Sequence, residues 1–224
     1  SSRHIRDEDA LAELKAAVPD PLLHEPRLIR FNPGRRKQVW NKNVIALGLA
    51  SGFLEPLEST SIALIETGIE KIKALFPDRD CAPELADEFN DWSRREMERV
   101  RDFIILHYWA NKRGDAAFWR DCNAVTLPDT LQRKIDLFLG RGHFVRYRWE
   151  MFAPPSWMAI YAGFEMLPQA VDPSLDGVDP KALSAPLSEM RKAVREVVAS
   201  APPHQAFLDQ YCRPAPVSAP SAAE

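Results

Sequence analysis

The chain has 224 residues, with 29 Lys and Arg against 32 Asp and Glu for a formal charge of −3. That length supports a real core in one large domain or two small ones, and a charge this close to neutral excludes a polyanion-binding surface and with it nucleic acid. Cys81, Cys122 and Cys212 are widely spaced and form no CxxC pair, no apolar run approaches membrane-spanning length, and the polar start Ser-Ser-Arg-His lacks both an initiating Met and signal-peptide character; the expectation is a cytoplasmic protein with reduced thiols, no metal site and no membrane contact.

Residues 7–18 are predicted helical, with Leu11, Leu14 and Val18 on one face and Asp7, Glu8 and Asp9 in the first turn, where carboxylates favour the helix dipole. Pro19 and Pro21 stop it. Residues 27–31, Arg-Leu-Ile-Arg-Phe, alternate charged and apolar side chains as a half-exposed strand does. Asn32-Pro-Gly34 signals a turn, and residues 35–40 return as a second strand. Arg35 and Arg36 read either as a solvated hairpin edge or as support for an anionic group, and Trp40 as a core anchor or a substrate platform.

Residues 44–47, Val-Ile-Ala-Leu, form a short apolar run that suits a buried strand. Gly48 and Gly52 permit sharp turns, Pro56 stiffens the loop, and Ser59 or Thr60 stands at a helix N-cap. Beyond it Ile62, Ile65, Ile69, Ile72 and Phe76 recur at helical spacing and predict one buried stripe. A strand that feeds a helix N-terminus through a Gly-containing loop presents free N–H groups and a positive dipole end, where an anion or an electron-rich cofactor edge settles. Glu55 and Glu58 stand beside that end, and on the residues alone they read as solvated glutamates as readily as a functional pair.

A long helix is expected over 84–110, on the order of 40 Å at 1.5 Å per residue. Leu85, Phe89, Trp92, Val100, Phe103, Ile104 and His107 form its inward stripe, with Arg94, Arg95, Glu98, Arg101 and Asp102 elsewhere. His107 reads as a satisfied core histidine, since no second His is near enough for a metal pair. Asp115 suits the N-cap of a short helix around Phe118. Residues 128–139 form an amphipathic helix with Leu131, Ile135 and Leu139 inward, ended by Gly140-Arg-Gly142. An aromatic stretch over 144–152 follows, and Pro154-Pro-Ser-Trp157 leads into another helix. Trp149 and Trp157 read equally as core or as flanks of an aromatic ligand. A loop over 173–179 precedes a helix over 180–199 with Leu187, Met190, Val194, Val197 and Val198 on its buried side, and a short helix over 204–211. The Pro, Ala and Ser-rich tail is expected to be disordered.

Leu54-Glu-Pro-Leu-Glu-Ser-Thr-Ser-Ile62, preceded by Val44-Ile-Ala-Leu-Gly-Leu-Ala-Ser-Gly-Phe53, resembles the signature of the flavin-dependent tryptophan halogenase family. Phe31, Gly34-Arg35 and Trp40, the run from Arg101 to Tyr108, and Ser156-Trp157 with Gly163 and Pro168 are similar to that family too. The resemblance implies that Glu58 is an active-site carboxylate that orients the halogenating species and accepts the ring proton, with Ser59 lining the same site. It implies that the backbone N–H groups of Thr60 and Ser61 face a halide, many members having Gly at the latter position, and that Gly48, Ser61 and Ile62 lie beside the cofactor. Trp149, Phe152 and Trp157 are the substrate candidates. The implied cofactor is FAD, delivered reduced by a separate flavin reductase, and chloride or bromide becomes the hypohalous acid that halogenates an electron-rich, indole-like or tryptophan-like ring.

No GxGxxG cradles a dinucleotide here, and no lysine takes the family's catalytic role. The chain is therefore expected to be the C-terminal half of such an enzyme, inactive and without FAD by itself. The implied fold is the α/β end of an FAD-binding domain over 1–76, followed by a mainly α-helical module covering the substrate tunnel over 77–212 and a disordered tail over 213–224, with a homodimer left open as an assembly. The Tyr-Tyr, Glu and Phe set that grips free tryptophan is not recognisable between His143 and Ser156. A zwitterion buried without partners costs several kcal/mol, so an indole or phenol without an amino-acid head group is the expected substrate. Two alternatives stand beside this. One is a flavin-dependent aromatic hydroxylase, which typically carries Gly-Asp-Ala where this chain has Glu-Ser-Thr-Ser; the other is a non-catalytic helical interaction fragment without its cofactor half.

Overall fold

The structure, a computed structural model, describes residues 2–55, 57–77 and 79–213. Pro56 and the tail residues 214–224, both assigned roles above, lie outside the described residues. The described residues fall into two compact units, one running through Asp172 and the other starting at Pro173.

The first unit opens with α1 (Asp7–Ala17), which carries its three acidic residues in the first turn and buries none of its side chains. The strand expected over 27–31 does not form, and Phe31 instead meets Phe53 edge-on at 5.1 Å. The expected hairpin is replaced by two antiparallel clips of two-residue strands. β1 (Gly34–Arg35) pairs with β4 (Gly52–Phe53), and β2 (Trp40–Asn41) pairs with β3 (Val44–Ile45). The second clip is closed by Lys42 at φ 55, whose carbonyl accepts from Trp40 Nε1 at 2.9 Å.

A long-range side chain explains why this ladder stays short. The Asn90 carboxamide accepts from Val39 N and Trp40 N at 2.8 and 2.9 Å and donates to Trp40 O at 2.9 Å. It thereby occupies the groups that a further strand would have paired. The run over 44–47 is correspondingly no buried strand, for Val44 is 62% exposed. Gly48 does turn the chain, at φ +56, into a 3₁₀ turn (Gly48–Ala50). Gly52 serves close approach instead of a turn: a Cβ there would stand 2.7 Å from Gly34 O.

α2 (Ser61–Ala74) follows, and its buried positions are Gly68 and Lys71. The stripe read from the sequence is only partly covered, with Ile65 and Ile72 half-buried but Ile62 70% and Phe76 74% exposed. Gly68 lets Leu47 press against the helix, since Leu47 Cδ2 lies 2.6 Å from where a Cβ would be. Lys71 forms a buried ion pair with Glu96 and lies over the Trp92 ring.

α3 (Pro83–Trp109) starts with Pro at its first position, where the missing N–H costs nothing. It buries Phe89, Met97, Val100, Phe103, Ile104 and Leu106, and also Asp102, which the sequence placed on the outer face. Asp102 is tolerated there because Thr130 Oγ1 donates to it at 2.5 Å and Arg101 at 2.6 Å. In α4 (Ala117–Asn123) Asp115 makes no cap; the cap position is Ala116, and Asp115 accepts from Arg113 at 3.1 Å. α5 (Asp129–Arg141) ends at Gly142, left-handed at φ 71, whose N–H reaches Phe138 O at 2.7 Å while His143 N reaches Leu137 O at 3.2 Å. α6 (Pro154–Gly163) completes the core, in which Phe103 and Leu106 meet Leu131, Ile135 and Phe138 of α5 and Trp157 and Tyr161 of α6.

The second unit contains a 3₁₀ turn (Pro173–Leu175), α7 (Pro180–Ser200) and α8 (His204–Tyr211). Asp179 caps α7 by accepting from Lys181 N at 2.9 Å. The apolar side of α7 forms as the sequence predicts but is not buried, Leu187, Met190, Val194, Val197 and Val198 all being exposed. The described chain is thus mainly helical, and no helix in it is long and apolar enough to cross a membrane.

Candidate functional site

The turn before α2 runs beside the C-terminal end of α3, and two consecutive residues of α3 hold its two glutamates. Glu58 Oε1 lies 2.8 Å from His107 Nε2. His107 Nδ1 lies 2.8 Å from Phe103 O. A carbonyl only accepts, so Nδ1 carries a hydrogen and donates, which leaves Nε2 to face Glu58. Tyr108 Oη donates to Glu55 Oε2 at 2.5 Å. Burial, reinforced by that carboxylate, pushes the Tyr108 phenol well above its ordinary range, so it stays a donor.

Ser59, at φ 51, makes the left-handed step from Glu58 into the helix. Thr60 takes the cap position, one of the two expected, and is 7% exposed, but its side chain makes no capping bond. The first N–H groups of α2 are therefore not met by the Thr60 side chain, and Ser61 and Ile62 are its first two residues. A small depression there is lined by Gly48, Gly52, Glu55, Thr60, Ser61 and Leu64. The N-terminus of a 14-residue helix suits a small anion such as a halide. Glu55 on the same lining is tied to Tyr108. The structure thus brings Gly48, Thr60 and Ser61 together, with Glu58 turned toward His107; Ile62 is largely exposed. Gly48 is tight against α2, a Cβ on it meeting Ile65 Cδ1 at 3.1 Å.

The substrate candidates separate into two places. Phe152 stacks on Phe103 at 3.9 Å, and Trp157 meets Phe103 edge-on at 4.9 Å, while Phe103 also contacts His107 at 4.8 Å. An unbroken aromatic path therefore joins these two residues to the Glu58 partner. Trp157 is itself core, 3% exposed, with Nε1 donating to Phe152 O at 3.2 Å. Trp149, at φ 64, stacks instead on Trp92 at 3.9 Å, with the Arg148 guanidinium over its ring. Glu150 is withdrawn from any ligand: it is buried, 2.7 Å from Lys134 Nζ, and accepts from Tyr147 N at 3.1 Å. Burial lowers the Lys134 pKa in spite of this partner.

His107 is the residue whose role the sequence obscured. Its helical spacing matched a core position, and it is satisfied as a core histidine should be, but one of its partners is Glu58. Only the adjacent Tyr108, polar and on the same helix end, hinted at a polar surface there. Among the described residues no group of three or more His, Cys, Asp and Glu is arranged to hold a metal.

Comparison with known proteins gives a consistent result. The family model described as tryptophan halogenase matches residues 1–180. Tryptophan 6-halogenase SttH of Streptomyces toxytricini is 34% identical over 199 residues, covering 87% of this chain and 38% of that protein. Among solved structures, BrvH, a flavin-dependent halogenase from Brevundimonas sp. BAL3, is 59% identical with a TM-score of 0.88, over 94% of this chain and 43% of that one. Xcc4156, a flavin-dependent halogenase from Xanthomonas campestris, is 40% identical with a TM-score of 0.88, over 96% and 44%. The chain spans less than half the length of each of these three proteins.

Proposed function

The chain belongs to the tryptophan halogenase family, and on that premise we propose that it is the C-terminal part of a halogenase that chlorinates or brominates an electron-rich aromatic ring through hypohalous acid. The observation that carries the reading is Glu58, set on the turn before a helix N-terminus and held 2.8 Å from His107. Bound FAD, reduced by a separate reductase, supplies the oxidising chemistry with oxygen. Every other part belongs to this chain. The backbone N–H groups at Thr60 and Ser61 hold the halide, where the helix dipole favours an anion. Glu58 orients the halogenating species and removes the ring proton once the ring carries positive charge. Ser59 lines the same site, and Gly48, Ser61 and Ile62 border the cofactor. Residues 1–76 contribute the end of the cofactor domain and 77–212 the helical module over the substrate, in which Phe152 faces the ring with Trp157 behind it in the core, and Trp149 stands apart against Trp92.

The substrate that fits is an indole or phenol without an amino-acid head group. Glu150, the carboxylate of the aromatic stretch, is already paired with Lys134 and accepts from Tyr147 N, so it is not placed as the free partner of an ammonium. The relative from Streptomyces toxytricini is named for tryptophan, so the choice of acceptor is a direct test. With the full-length polypeptide, reductase and halide, indole should exceed free tryptophan in kcat/KM; a clear preference for tryptophan overturns the substrate assignment. For the site itself, Glu58→Gln keeps shape but removes the proton acceptor. Halogenation should fall by roughly two to four orders of magnitude with FAD binding retained, and normal halogenation by Glu58→Gln would remove Glu58 from the role.

A further inference from the structure

We propose that Tyr108 is a positioning residue for Glu58: by gripping Glu55 it holds the turn that carries Glu58 at a fixed orientation on α3. This inference rests on the halogenase reading of Glu58. Ser59 sits at φ 51, a region that a residue with a Cβ enters at a cost, and the Thr60 side chain makes no capping bond to α2. A glutamate side chain has three rotatable bonds, so the contact from Glu58 to His107 places the carboxylate tip without fixing the backbone behind it. A second tie, three residues upstream and anchored on the next residue of the same helix, supplies what one contact lacks. Two points of attachment set an orientation.

Tyr108 is built as the fixed partner of that tie. Its ring lies edge-on to Phe118 at 6.1 Å and parallel to Trp119 at 6.2 Å, and Trp119 is covered by the Arg113 guanidinium at 4.6 Å. Its carbonyl accepts from the Asn111 side chain. The Tyr108 ring is thereby packed beside α4 as well as carried by α3. Glu55 Oε1 is buried and takes no hydrogen bond among the described residues, which leaves the Tyr108 hydroxyl as the donor that satisfies this carboxylate. Without that hydroxyl, a buried carboxylate loses its bond, and the turn must shift to bring it to water.

The test uses the full-length polypeptide with FAD, reductase, halide and indole, and reads halogenated product per flavin oxidised. Tyr108→Phe removes one oxygen and keeps the ring packing. Product per flavin should fall at least about tenfold, since a misplacement of 1 Å is enough to cost on the order of a hundredfold, while KM for indole and the rate of flavin oxidation stay as in the parent. Glu55→Gln keeps an acceptor for the phenol and should lose less coupling than Glu55→Ala, which removes it. Glu55→Ala should uncouple as Tyr108→Phe does, and the double variant should fall no further than either single change; if Tyr108→Phe fails to fold, Glu55→Ala reads the same tie from its other end. Normal coupling in both Tyr108→Phe and Glu55→Ala, a raised KM with kcat unchanged, or additive losses in the double variant overturn the proposal. Normal coupling there with an inactive Glu58→Gln overturns the positioning role alone, whereas an active Glu58→Gln overturns the reading of the site and this role together.

Discussion

Two glycines ask opposite things of a methyl group. Gly52 lies opposite Arg35 in the clip that β1 and β4 form, and an added Cβ would meet Gly34 O at 2.7 Å and Arg35 Cα at 2.9 Å, both backbone atoms that cannot step aside. Gly140, inside α5, has nothing within 4 Å of the same position. Gly52→Ala should therefore destabilise the chain by about 1–3 kcal/mol through overpacking. Gly140→Ala should stabilise it by about 0.4–1 kcal/mol, by narrowing the unfolded ensemble. Urea unfolding of the two variants reads both signs, and a neutral Gly52→Ala would mean the clip gives way easily. At this scale Gly52 was visible as a glycine in the sequence, but its task was not. A sharp turn and a close approach select the same residue, and only the position of the opposing strand distinguishes them. His107 carries the same lesson, since its inward spacing was right and its partner was unseen.

Among the elements, α2 departs furthest from its pattern. Its isoleucines recur at helical spacing, yet Ile62, Ile69 and Phe76 are exposed, and the helix instead buries Gly68, against Leu47, and Lys71, against Glu96 of α3. A small residue and a charged one can form the contact because Gly68 admits Leu47 and Glu96 neutralises Lys71 in the interior. Lys71→Met should cost about 3–5 kcal/mol, because Glu96 would stay buried without its cation. Ile69→Gln, on the opposite face, should change stability by less than about 0.5 kcal/mol. Thermal or urea unfolding of the 224-residue chain measures both; a costly Ile69→Gln with a mild Lys71→Met would reverse this assignment of faces. In contrast, α3 and α5 keep most of their patterns, so Phe103, Leu131 and Ile135 are core as their spacing predicts, and Phe138, Trp157 and Tyr161 join them.

For the whole molecule, the reading as part of a halogenase predicts that the purified 224-residue chain carries no FAD. It presents an anion-sized helix N-terminus but no glycine fingerprint for a pyrophosphate. The absorbance spectrum after desalting should lack the flavin bands, and a yellow protein with stoichiometric FAD would overturn the expectation. What the sequence alone determined was whatever depends on neighbours along the chain. That includes the helices and most of their ends, the left-handed steps at Gly48 and Gly142, and the nine-residue run over 54–62 through which the family was legible. What only the tertiary structure decided was whatever depends on residues far apart. The strand expected over 35–40 shrank to two short clips where Asn90, from α3, took the hydrogen bonds of Val39 and Trp40. The partly covered stripe of α2, the burial of Asp102 and the engagement of Glu150 with Lys134 were each set by a partner on another element. So was the pairing of Glu58 with His107 and of Glu55 with Tyr108. Periodicity reports which side of a helix is apolar; it carries no information about which distant group completes a polar one, and the candidate site is made of such completions.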